Sequence, residues 1–227
     1  MNNYNNYAEI NHVSRADFLT RVFTYLGIGL GLSALGALVG GFLLSRMAGV
    51  YSALVIIALI SEFVLAIMMG RNLQQRSTSA VRTMFIIYSI INGFSLSVII
   101  GAYTDASVLL AFVTTAVVFA SLAIIGKTTK IDLSRFGSLF LIGLIVCIVL
   151  SLLNLLIFRA SGMEIFLCYV ETLLFMGIIA YDTQMIERYY ANSESENYAI
   201  YAAFQLELDF VNLLIRVLQI FGKRRDD

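Results

Sequence analysis

Apolar residues in this chain come in long runs rather than in alternation with polar ones. Val22–Leu44 holds 23 residues without a charge. Comparable runs follow at Tyr51–Met69, Thr83–Tyr103, Val108–Ile125, Phe136–Phe158, Ile165–Tyr181 and Tyr198–Phe221. A helix needs about 20 apolar residues to cross bilayer hydrocarbon. The pattern therefore predicts an all-α integral membrane protein of seven transmembrane helices. A polar head (1–17), a single seven-helix membrane domain (18–222) and a short charged tail (223–227) complete the expected layout. The first run is too long for a signal-peptide core of about 7–15 residues and reads as a span that stays. Proline is absent, so any break in a helix must come from glycine or an inserted polar group. Gly27 and Gly31, like Gly36 and Gly40, are four apart in the first run, a spacing that lets helix backbones approach closely in lipid.

The polar positions inside these runs carry the chemistry. In the seventh, Gln205, Asp209, Asn212, Arg216 and Gln219 recur at intervals of four and three, forming one stripe on a helix. A lipid-exposed helix should be apolar all round, so this one is expected at the centre of the bundle, wrapped by the other six. Glu207 points almost the opposite way, on the face of Ala203, Phe210, Val211 and Leu214. In the sixth run Glu171 and Asp182 are eleven residues apart and share a face, about 16 Å from one another along the axis. The second carries Glu62 and, nine residues on, Arg71 facing the other way. Ser89, Asn92 and Ser95 in the third run, with Ser151 and Asn154 in the fifth, read as hydrogen-bonding contacts between helices. Asp182, Asp209 and Arg71 are expected in one half of the membrane. Two carboxylates within a few Å do not both ionise cheaply, and they titrate as a unit. An arginine nearby favours the charged form, so protonation would loosen that bridge.

Composition narrows the function classes. Hydrophobic residues make up 59% of the chain and charged ones 13%, against about a quarter charged in soluble domains. The formal charge is zero, so no field favours nucleic acid. Cys147 and Cys168 both lie in apolar runs and read as small buried apolar residues, not a disulfide framework. A histidine-based metal site has nothing to build on beyond His12, the only histidine. No cofactor is expected. Nine basic residues (Arg15, Arg21, Arg71, Arg76, Arg82, Lys127, Lys130, Arg135, Arg188) fall on one side of the seven-span layout. Five (Arg46, Arg159, Lys223, Arg224, Arg225) fall on the other. The first side is therefore expected to be cytoplasmic, with the N-terminus. A re-entrant seventh segment would move the basic tail across and make the count 12 to 2.

The segment GIIAYDTQ (Gly177–Gln184), then LELDFVNLLIRVLQIFG (Leu206–Gly222), resembles the Bax inhibitor-1 family, also called transmembrane Bax inhibitor motif proteins. NGFSLSVI (Asn92–Ile99) is similar to the family's third-span motif. The resemblance covers nearly the whole chain, and the short head is similar to the bacterial, YccA-like or YetJ-like, branch. It implies seven helices with the last at the centre, and a pH-sensitive calcium leak. The family's paired aspartates match Asp182 and Asp209; its bridging second-span arginine matches Arg71 approximately, about half a turn early relative to Glu62. Glu207 departs from the family, where an aromatic or apolar residue is usual. A bacterial inner membrane is the implied location.

Three readings follow from different classes. The first is a cation leak or exchanger, most naturally for calcium, with Asp182, Asp209 and Arg71 as proton sensor and gate. Oxygen donors for a path would come from Glu62, Glu171, Glu207, Gln205 and Asn212, with Arg216 beside them; hard cations take such ligands. Asp182 and Asp209 would be the calcium-binding pair, and no dedicated metal centre is expected. The second is a membrane-embedded regulator that binds other membrane proteins, such as a protease or stress and cell-death machinery. An intramembrane aspartyl protease is the third; it lacks a GxGD-type segment and a Pro-Ala-Leu segment, and no enzyme activity is expected.

Overall fold

The computed structural model describes the backbone of residues 2–46, 48–190 and 195–225 and the side chains of 16–46, 49–188 and 195–225. His12 and Arg15 lie outside the described side chains. Among the described residues seven α-helices follow in order: α1 Asn2–Arg46, α2 Ala48–Met69, α3 Thr78–Gly101, α4 Asp105–Thr128, α5 Gly137–Leu153, α6 Ser161–Met185 and α7 Glu196–Phe221. Single π turns extend α5 (Asn154–Phe158) and α6 (Ile186–Tyr190). All seven are long and apolar enough to cross a membrane.

Two boundaries differ from those read off the apolar runs. The polar head does not stand apart; α1 is helical from Asn2, and neither glycine nor proline occurs before Gly27 to interrupt it. The sixth apolar run stops at Tyr181, yet α6 continues beyond it. Its polar end is satisfied in place. Thr183 donates to Ile179 O at 2.8 Å. Gln184 donates to Ile131 O and accepts from Leu133 N, at 2.9 and 2.8 Å. A helix end with such partners has no reason to stop where hydrophobicity does.

The helices group into two compact units. The first comprises 1–102 and 186–207, hence α1, α2, α3 and the opening half of α7. The second comprises 103–185 and 208–227, hence α4, α5, α6 and the closing half of α7. In the first unit, close packing of α1 on α3 rests on small residues. A Cβ on Gly36 would come 2.2 Å from Ile90 O, and one on Gly93 would come 1.8 Å from Ser33 O. The stripe that packs is Gly29, Ser33, Gly36 and Gly40, all with neighbours across the seam. Gly27 and Gly31 face open space, so the first of the two expected glycine pairs is not a packing pair. The second unit uses the same device where a Cβ on Gly126 would meet Ala180 O at 2.2 Å. Phe112 and Phe119 of α4 flank Phe210 of α7 with ring centroids 5.4 and 5.6 Å away.

Burial runs against hydropathy, as lipid requires. The most apolar span, Leu133–Phe158, has 11% of an 18-residue apolar stretch buried, whereas the least apolar, Glu196–Phe221, has 67%. Outward faces are lined by residues such as Leu38, Phe63 and Leu156.

The seventh helix is continuous from Glu196 to Phe221 and is tied down at both ends. At its start, Asn197 donates to Leu73 O and Arg76 O at 2.8 and 2.9 Å, and Gln74 donates to the Tyr198 hydroxyl at 2.7 Å. All three partners lie in the α2–α3 turn. At its finish, Lys223 O accepts from Thr104 N at 3.0 Å and Arg225 Nε donates to Tyr103 O at 2.8 Å. Those partners lie in the α3–α4 turn. The tail thus sits against the start of α4 within the second unit, where Arg225 also pairs with Asp105 at 2.6 Å. Asp226 and Asp227 lie outside the described residues.

Candidate functional site

The second unit assembles its polar groups between α6 and the closing half of α7. These helices run antiparallel, so Asp182 meets Asp209 and Glu171 meets Arg216. The spacing is eleven residues on α6 and seven on α7, about 16 Å against about 10 Å of rise. The long arginine side chain spans the difference.

At one level the carboxyl groups of Asp182 and Asp209 face each other closely enough to interact. Asp209 is 5% exposed and Asp182 is half-buried. Ionised carboxylates only accept hydrogen bonds, so these two can bond to each other only if one of them carries a proton. Asp209 Oδ2 has no hydrogen-bond partner and is shielded from solvent.

At the other level Arg216 Nη2 lies 2.8 Å from Glu171 Oε2, and Arg216 Nη1 donates to Gln219 Oε1 at 2.6 Å. Ser151 of α5 donates to Glu171 Oε1 at 3.2 Å. Cys168 Sγ sits 3.4 Å from Gln219 Oε1. Both cysteines are free and buried. Asn212, half-buried, lies between the two levels on the same stripe. The stripe expected from the seventh run is thus real over Asp209–Gln219. Each of its charged members has a partner on α6 that was already visible as the Glu171/Asp182 face.

The remaining site residues belong to the first unit. Gln205 is half-buried with Oε1 unpartnered. Arg71 is exposed at the end of α2, and its guanidinium makes no hydrogen bond or ion pair with a described residue. Glu207, without an evident partner in the sequence, has two. Ser33 Oγ of α1 lies 2.8 Å from Oε1, and Ser89 Oγ of α3 lies 2.8 Å from Oε2. The side chain is fully buried. Of these partners Ser89 was marked as a helix contact, while Ser33 was not. Its signal is its place in the small-residue stripe, between Gly29 and Gly36. Glu62 faces Asn92, whose Nδ2 is 3.4 Å from Oε2. Sequence reasoning also missed a three-residue cluster at the start of α7. There Glu196 accepts from Arg82 at 2.8 Å and from the Tyr25 hydroxyl.

Residues 15–226 match the family model described as inhibitor of apoptosis-promoting Bax1. An uncharacterized membrane protein of Streptococcus pyogenes serotype M1 is 36% identical over 218 residues, covering 91% of this chain and 92% of its own. The inner membrane protein YbhL of Escherichia coli K12 is 31% identical over 216 residues, with 92% of each chain covered. An uncharacterized protein of Borreliella burgdorferi is 33% identical over 217 residues, covering 92% of this chain and 93% of its own. Seven helices long and apolar enough to cross a membrane and a family match over nearly the full length agree: this chain is an integral membrane protein that belongs to the Bax inhibitor-1 family.

Proposed function

We propose that the protein is a pH-sensitive cation leak, with calcium as the transported ion and the Asp182–Asp209 pair as its gate. The observation that carries this reading is that Asp182 of α6 and Asp209 of α7 face and interact with each other. On this reading the two carboxyl groups share a proton. When the proton leaves, two anions face each other, and repulsion separates the ends of the two helices. The vacated position is a pair of hard oxygen donors carrying two negative charges, a match for a divalent cation. Arg71, whose guanidinium has no partner among the described residues, is proposed as part of the gate. Asn212 and the Glu171–Arg216 pair continue the polar line along α7. Conduction on this reading rises with pH over the range in which the pair loses its proton.

We place the protein in a bacterial inner membrane, with the α2–α3 turn and the N-terminus in the cytoplasm. Gln74→Cys and Asp105→Cys, each in a variant lacking Cys147 and Cys168, test the orientation with a membrane-impermeant thiol reagent added outside. Asp105→Cys is expected to label in intact cells; labelling of Gln74→Cys alone reverses the assignment.

The functional test is calcium flux into liposomes carrying the purified protein, measured across a pH series. Wild type is expected to leak more at neutral than at mildly acidic pH, and Asp182→Asn and Asp209→Asn to flatten the profile. A protein that conducts nothing at any pH would instead support a membrane-embedded regulator binding other membrane proteins. The family model's description, inhibitor of apoptosis-promoting Bax1, points to that class.

A further inference from the structure

Four arginines of this chain stand against carboxylates. Arg21, Arg82, Arg216 and Arg225 each lie 2.5–2.8 Å from a carboxylate oxygen. The turn that joins α4 to α5, in the second unit, is different. From Lys127 to Phe136 it reads KTTKIDLSRF, with three cations and one acid. Lys127, Lys130 and Arg135 are all exposed, and no ion pair holds any of them among the described residues. Two large apolar side chains stand exposed among them, Ile131 at 64% and Phe136 at 40%.

Hydrogen bonds hold the backbone of this turn in place. Asp132 Oδ1 accepts from Ser134 N at 3.1 Å and from Ser134 Oγ at 2.7 Å, so the one acid braces the chain. Thr129 Oγ1 accepts from Ile131 N at 3.2 Å. Gln184 of α6 reaches across, donating to Ile131 O and accepting from Leu133 N. The spans on either side, Asp105–Thr128 and Leu133–Phe158, are long and apolar enough to cross a membrane. The turn therefore lies where hydrocarbon gives way to lipid headgroups. Lys127 and Arg135 sit just inside the helix ends, and their long side chains reach that level with the charge outermost.

Basic loop residues orient any membrane protein. What sets this turn apart is three cations without a carboxylate, close together on a braced backbone, with apolar side chains between them. That combination fits a molecule with an anionic head and a hydrocarbon body. Phosphate oxygens accept from lysine as a point charge and from arginine as a fork. A free phosphate would leave Ile131 and Phe136 unmatched. A zwitterionic lipid would bring a cation of its own toward three others. We propose that Lys127, Lys130 and Arg135 bind the headgroup of an anionic phospholipid, with Ile131 and Phe136 against its acyl chains.

The test is thermal unfolding of the full chain in neutral detergent micelles at constant ionic strength, with phosphatidylglycerol added stepwise. Phosphatidylcholine with the same acyl chains and sodium phosphate are the two comparisons. Phosphatidylglycerol is expected to raise the midpoint in a saturable way, and neither comparison should reproduce the rise. Each basic residue near an anionic lipid surface strengthens attraction roughly fivefold. Lys130→Gln with Arg135→Gln should therefore move the titration to roughly twentyfold higher lipid, and Lys127→Gln added to these to roughly a hundredfold. Lys223→Gln with Arg224→Gln removes as much charge from the tail beside the start of α4 and should leave the titration nearly in place. Asp182→Asn and Asp209→Asn should keep the full lipid response, which separates this site from the proposed gate. The proposal is overturned by equal responses to the two lipids, by phosphate alone reproducing the rise, or by an unchanged titration in the triple variant. It is overturned equally if the tail variant moves the titration as far as Lys130→Gln with Arg135→Gln does.

Discussion

Glu207 and Asp209 are two residues apart on α7, point in nearly opposite directions and solve the problem of a buried carboxyl in different ways. Glu207 is held by two serine hydroxyls, one from α1 and one from α3. Gly29 closes over it, since a Cβ there would come 2.4 Å from Oε2. Hydroxyls donate or accept as needed, so this arrangement is satisfied in either protonation state. Asp209 faces another acid, Asp182. One face of the helix therefore carries a carboxyl held by neutral donors. The other carries a carboxyl opposite a second carboxyl, and on the proposed function it is this partner, not burial alone, that makes the sensor.

That comparison breaks first at the seam that closes over Glu207. A methyl group on Gly93 meets the Ser33 carbonyl at 1.8 Å, and backbone cannot yield as a side-chain tip can. Gly93→Ala should cost about 3 kcal/mol by overpacking and push Ser33 away from Glu207. Gly31→Ala, at a position with nothing within 4 Å, should be neutral or slightly stabilising through helix propensity. Thermal unfolding of the two variants in the same micelle compares them directly. Equal losses would mean that α1 does not pack on α3 along the Gly29–Gly40 stripe.

This seam also marks where sequence stopped being informative. Seven spans were legible because hydrocarbon thickness sets run length and the composition leaves nothing else to build. Pairing of Asp182 with Asp209 was legible because each sits on a polar helical face and the residues around both resemble a family motif. The partners of Glu207 were not legible. Ser33 lies in α1 and Ser89 in α3, and only the packing angle of those helices brings them to α7. Likewise Gly27/Gly31 and Gly36/Gly40 have identical spacing, and only the second pair packs. Spacing says which residues share a face; it does not say which face meets a neighbour. The end of α6 was misjudged for a related reason: Gln184 reaches the backbone of Ile131 and Leu133, a contact 51 to 53 residues away in the chain.

The next effect in size is at Glu207 itself. Glu207→Ala removes a fully buried side chain, and the two serines fall back on the Ser89 and Phe85 carbonyls already 2.8 and 3.0 Å from them. The loss is then mainly the cavity, about 2 kcal/mol. Glu207→Gln keeps shape and both contacts and should lose well under half of that. Chemical denaturation of the pair in one detergent measures the difference; equal losses would mean that the serine contacts do not hold the side chain.

Asp209→Asn should be smaller still at acidic pH, about 1 kcal/mol or less, because an amide N–H replaces the shared proton. Its effect should appear in the slope. On the proposed function the folded pair shares a proton, so stability should fall as pH rises through the range in which that proton leaves. The asparagine variant carries its hydrogen permanently, so its stability should be nearly level over the same range. Parallel slopes for wild type and variant would show that the Asp182–Asp209 contact holds no titrating proton.

The smallest expected effect is the one that separates the two faces of α7. Glu207→Gln should leave the pH profile of calcium flux where it is in wild type. Two residues on a helix differ by about 200°, so the substituted side chain points away from Asp209, and its serine partners lie on α1 and α3, not on α6. Gln donates and accepts at the same two positions, so Ser33 and Ser89 keep their contacts. A profile displaced by this substitution as far as by Asp209→Asn would mean that Glu207 exchanges protons in the working range. The hydroxyl-held carboxyl would then be a second sensor, and the contrast between the two faces would collapse.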